Sequence, residues 1–96
     1  ENSLSQMHAD LAILGGAGIT EEGIWNSNSF IVSAQKKILK AADKSIFAID
    51  NSKFGKRALE LTTSFKSDFI VVTNEKPEPR LSRAMRSAGT ELKITT

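Results

Sequence analysis

The sequence contains no cysteine and one histidine, His8. The missing cysteine excludes a disulfide framework and thiol chemistry, and it fits a reducing compartment. One histidine without cysteine does not make a zinc site, so no metal is expected. There is no Ser-centred nucleophile elbow, and His8 has no evident carboxylate partner in the sequence, so no catalytic residue is assigned. Long apolar runs are also missing. None approaches the roughly 20 residues that span a bilayer, and no secretory signal is visible, so a cytoplasmic protein without membrane contact is expected. Charge of one sign is scarce: 13 basic against 11 acidic residues leave a formal +2, too little to argue for nucleic-acid binding by these residues. Repeats, low-complexity tracts and internal linkers are absent. At 96 residues the chain is at most one domain, burying roughly two-thirds of its unfolded surface.

What is present is a repeated form. "ADLAILGG" (9–16), "SIFAID" (45–50) and "DFIVVTN" (68–74) are apolar runs that stop at polar or glycine-rich turns. Continuous apolarity is the mark of strands covered on both faces, as in a parallel sheet. "ELKITT" (91–96) alternates instead and suits an edge strand or one with a wet face. Between the runs the period becomes helical. Over 29–44, Ile31, Ala34, Ile38, Ala41 and Ala42 fall on one face and Lys36, Lys37, Lys40 and Lys44 on the other, with Asn28 or Ser29 able to cap the start. Residues 79–88 form a second helix: Pro79 opens it, Leu81, Ala84, Met85 and Ala88 are its buried stripe, and Gly89 ends it. "GKRALELTT" (55–63) could give a short helix, and residues 1–8 the tail of another. Trp25 is placed in a loop between strand and helix, either as a lid over a site or packed on the helix start. Strands alternating with helices predict an α/β fold with a parallel-core sheet and flanking helices.

In open parallel sheets, ligands bind beyond the carboxyl ends of the strands. Those ends are "GGAGIT", "DNSKFG" and "TNEK". Gly15, Gly16, Ala17 and Gly18 let backbone amides approach an anion closely, though three glycines after a strand also simply make a tight turn. Lys53 can add a full positive charge, or it can be the solvated lysine of a turn. Asp50, taken as the last strand residue, could orient Lys53 or accept from a ligand hydroxyl. Together they fit a small anionic ligand such as a sugar phosphate. The helix lysines and Arg80, Arg83 and Arg86 are read as solvated faces.

These motifs resemble the C-terminal effector-sensing domain of DeoR-family bacterial transcriptional repressors. The resemblance lies in "HADLAILGGAGITEEGIW", followed at this spacing by "AIDNSKFGKRA" and "DFIVVTN", and it runs from about residue 3 to 96. Asp-x-Ser-Lys-Phe-Gly is its most specific piece. The resemblance implies a homo-oligomeric repressor of sugar metabolism that a phosphorylated sugar releases from operator DNA. The helix-turn-helix DNA-binding domain is then expected upstream, outside these residues. This chain would be the C-terminal part of the sensor, without the upstream Gly-Ser/Thr-Thr phosphate loop. The resemblance also implies a fold similar to ribose-5-phosphate isomerase and the CoA transferases. Where that isomerase pattern reads Asp-Gly-Ala-Asp-Glu, residues 14–18 carry no carboxylate to move a proton. The isomerase lysine that contacts substrate is matched by Lys53. No cofactor is implied. DeoR relatives usually have a glutamate near the start of the long helix; Phe30 and Ile31 stand there instead, with Gln35 the nearest polar residue, which implies an atypical effector. Two rivals to a sensor stay open: a sugar-phosphate isomerase or lyase, and a pure oligomerisation module.

Overall fold

A computed structural model describes residues 8–95. Its main sheet is parallel throughout, with strand order β1-β4-β6-β7, formed by β1 (Ala9–Leu14), β4 (Ala42–Ala48), β6 (Phe69–Thr73) and β7 (Glu91–Ile94). The three apolar runs are therefore strands of a parallel sheet and the alternating segment is an edge strand, as the sequence predicts, although β1, a continuous apolar run, is the other outer strand. The helix expected in residues 1–8 falls almost wholly outside the described residues.

Helix α1 (Ser29–Ala41) starts where Asn28 caps it, the side-chain oxygen accepting from the Phe30 and Ile31 amides at 2.8 and 3.3 Å. Its buried face differs from the one read off the periodicity. Val32 and Gln35 are buried and Leu39 packs on the core, whereas Ile31 and Ala34 are exposed. The reason is Gln35, which a hydropathy pattern assigns to solvent but which is bonded inside the fold. Helix α2 (Pro79–Ser87) matches expectation: Leu81 and Met85 are buried, and Ala84 and Ala88 pack beside them. Amide bonds from Ala88, Gly89 and Thr90 back to the last turn close its end.

A second, antiparallel sheet of order β2-β3-β5 was not foreseen. It comprises β2 (Gly18–Thr20), β3 (Gly23–Asn26) and β5 (Glu60–Thr63). Trp25 thus lies in a strand, not in a loop, and "GKRALELTT" ends in a strand, not a helix. Thr62 explains the latter: it is buried in β5 and its hydroxyl accepts from Asn26 on β3 at 2.7 Å.

Both helices and the small sheet cover one face of the parallel sheet. The core there joins Ile19 and Ile24 to Phe47, Ile49, Phe69, Val71, Leu81 and Met85. Phe47 and Phe69 meet as tilted rings 5.1 Å apart. The opposite face is not covered by any described element. Along it Leu11 is 49% and Ile13 69% exposed, with Ile46, Ile70 and Val72 half-buried in register beside them. The expectation that both faces are covered holds for neither β1 nor its neighbours among the described residues.

Candidate functional site at the carboxyl ends of the parallel strands

The chain leaves β4 at Ala48, and Ile49 extends the pairing by one bond to the Val72 carbonyl, 2.9 Å. Asp50 is therefore not the last strand residue. It caps a single 3-10 turn, Asn51–Lys53, accepting from the Ser52 amide at 2.8 Å and from the Ser52 hydroxyl. These two bonds hold the Asp50 carboxyl below the usual carboxylate range, with Lys53 and Lys56 adding to the effect.

Each position of Asp-x-Ser-Lys-Phe-Gly then has a task. Asp50 and Ser52 close the turn. Lys53 is carried on it, half-buried, and among the described residues no carboxylate lies within 4.0 Å of its ammonium. Phe54 packs on the core and bridges to Ile19. Gly55 adopts φ +73°, where a side chain is strained, and donates its amide to the Ile19 carbonyl at 2.8 Å.

The turn is clamped from the next strand as well. The Asn51 amide donates to Asn74 Oδ1 at 2.8 Å, Asn74 Nδ2 donates to Asn51 Oδ1 at 2.9 Å, and Asn51 Nδ2 donates to Glu75 Oε2 at 3.1 Å. Sequence reasoning missed this clamp. Its only signal was an asparagine just past the end of each of two neighbouring apolar runs.

The glycine turn sits beside this segment. A Cβ on Gly16 would meet Ile24 at 2.8 Å and Ile49 at 3.5 Å, and one on Gly18 would meet the Lys56 carbonyl oxygen at 2.1 Å. The structure thus brings the glycine turn and the Asp50–Lys53 turn to one edge of the sheet. It also divides their roles. Gly18 is required because the 54–56 segment crosses directly over it, and the Ala17 amide is committed to the Trp25 carbonyl at 2.8 Å. Gly15 is the exposed member, with open space where a side chain would be.

A shallow hollow of about 320 Å³ lies over these strand ends, lined by Ala48, Asp50, Val72, Asn74 and Thr95 among others. A cleft of about 470 Å³ lies across the Phe54–Gly55 segment, between the hairpin and the start of α2. It presents Glu21 and Glu78 against Arg57, and Arg57 is already paired with Glu22 at 2.9 Å and stacked 5.8 Å from the Trp25 ring. That balance disfavours an anion. Trp25 is held by its Nε1 bond to Thr20 Oγ1, 2.9 Å, and is no lid. At the far end of the sheet His8 does have a carboxylate partner, contrary to expectation: Asp43, at 2.9 Å, with Asp10 close by. All three are exposed, and the ion pair accounts for their approach.

Comparison with known proteins agrees with the architecture. The family described as "DeoR C terminal sensor domain" matches residues 1–75. Among curated proteins, the HTH-type transcriptional regulator UlaR of Escherichia coli (strain HS) and that of Shigella boydii serotype 18 are each 26% identical over 92 residues, which is 96% of this chain. The chain spans 36% of the length of these relatives. With residues 1–75, three quarters of its length, matched by the family, the chain belongs to the DeoR C-terminal sensor domain family.

Proposed function

We propose that these residues form the effector-sensing part of a DeoR-type transcriptional regulator, and that the effector is a phosphorylated sugar. The observation that carries the reading is Lys53. It stands on a turn fastened by Asp50, Ser52 and the Asn51–Asn74 clamp, beside the glycine turn, with no carboxylate of the described residues on its ammonium. A cation positioned this way meets an incoming phosphate without first breaking an ion pair. Asp50, held ionised, is suited to accept from a sugar hydroxyl. Gly15 and Gly16 complete the site with backbone, and Ala17 and Gly18 hold that backbone to the hairpin.

An isomerase reading is less well supported. Residues 14–18 carry no carboxylate, and Asp50 on the neighbouring turn has a lowered pKa and is therefore a weak base. Operator DNA is engaged, in this proposal, by a helix-turn-helix domain outside these residues, in keeping with the relatives' being HTH-type transcriptional regulators. The regulator is proposed to be a homo-oligomer, and the apolar face around Leu11 and Ile13, uncovered by any described element, favours association over a free surface. The test is release of the full-length regulator from its operator fragment by a panel of pentose and hexose phosphates. Release by one of them, and not by the same sugar without phosphate, is expected. Release by the unphosphorylated sugar, or turnover of the phosphate ester, would overturn the reading.

A further inference from the structure

Three buried polar side chains lie behind the glycine turn. Asn26 on β3, Gln35 on α1 and Thr62 on β5 are 6%, 8% and 3% exposed. Asn26 Nδ2 donates to Thr62 Oγ1 at 2.7 Å and to Gln35 Oε1 at 3.1 Å, and Gln35 Nε2 donates to the Gly15 carbonyl at 3.0 Å. The bonds form one chain from the small sheet through the helix to the turn. A buried amide is unfavourable unless bonded, and an aliphatic residue at 35 would pack without that demand. Core packing alone therefore does not account for glutamine here.

Peptide geometry gives the network a consequence. The Gly15 carbonyl and the Gly16 amide belong to one planar trans unit and point in opposite directions. Anchoring the carbonyl on Gln35 aims the Gly16 N–H away from α1. Gly15 has nothing within 4 Å of its Cβ position, so packing at that position does not set this orientation. We infer that Gln35 is a positioning residue: it fixes the Gly15–Gly16 peptide so that the Gly16 amide is presented to the anionic group of the effector. The inference rests on the reading of the glycine turn as part of the effector site.

The experiment uses the full-length regulator, the panel of sugar phosphates, and two variants. Gln35→Met keeps the side-chain length and removes both bonds; Asn26 retains Thr62 but leaves one N–H unpartnered, so unfolding is measured alongside to establish that the variant is folded. Its Gly16 amide resonance should shift and exchange faster in the unliganded protein, and affinity for the sugar phosphate should fall about tenfold, the loss of one backbone bond to an anion. Gln35→Glu supplies the control that a merely structural role would not move. A neutral carboxyl can donate to the Gly15 carbonyl and a carboxylate cannot, so its affinity relative to wild type should recover as pH is lowered. Equal affinities of wild type and Gln35→Met would overturn the inference and leave the sensor reading intact. A wild-type protein that binds none of the panel would overturn the sensor reading. The inference about Gln35 would fall with it, and an unchanged Gly16 resonance in Gln35→Met would refute the inference on its own.

Discussion

At the scale of single residues, two positions show how motif chemistry and packing divide one short loop. Gly18 invites a reading as an anion-binding glycine, yet a side chain there would meet the Lys56 carbonyl oxygen at 2.1 Å. Gly18→Ala must push the 54–56 segment off β2, and a loss of about 2 kcal/mol or more is expected, typical of overpacking, read as a lowered urea midpoint. Asp50 makes the opposite case, since its role is electrostatic and exposed. Its pKa is lowered in the fold, by Ser52 first and then by Lys53 and Lys56. The unfolded state therefore binds its proton more readily, and the stabilisation is fully present above the ordinary aspartate pKa of about 3.9 and lost as pH falls through the lowered folded value. Asp50→Asn should remove that part of the acid-side slope while leaving the slope near neutrality unchanged. A denaturation series against pH reads both.

At the scale of elements, legibility followed length and capping. The starts of both helices and the end of α2 were readable because Asn28, Pro79 and Gly89 are punctuation with a mechanism, and the long strands because they are continuous apolar runs. The end of α1 was not, since it carries no such stop, and Ala42 and Lys44, read as helical, lie in β4. The hairpin was not readable. Strands of three and four residues carry too few positions for an alternation to show, and Ile19 and Ile24, fully buried, looked like loop residues between glycines. The buried face of α1 was misread for a different reason: the polar network through Gln35 inverts what hydropathy predicts there. The two faces can be compared directly. Val32→Ala removes buried methyl groups and should cost about 2 kcal/mol, whereas Ile31→Ala, at a residue 46% exposed, should cost less than about 1 kcal/mol. Thermal or chemical unfolding of the pair distinguishes the observed face from the one the periodicity suggests.

At the scale of the whole molecule, the candidate site is a product of topology more than of any motif. The sequence supplied its members, Gly15 to Gly18, Asp50 and Lys53, as ends of separate apolar runs, and the parallel order β1-β4-β6 sets those ends side by side. The Asn51–Asn74 clamp and the Gln35 support were not legible, because side-chain bonds between elements leave no period in a sequence. The sheet face left uncovered by the described elements is a similar case: apolar runs announce that a face must be covered, not by what. Lys53 is proposed to receive the phosphate of the effector, and calorimetric titration of the sugar phosphate into wild-type and Lys53→Ala full-length protein tests this most directly. A charged hydrogen bond of about 1.5–3 kcal/mol corresponds to a loss of roughly one to two orders of magnitude in affinity, with the melting temperature little changed, repression kept and induction lost. Equal affinities in the two proteins would contradict the claim and make Lys53 an ordinary turn lysine.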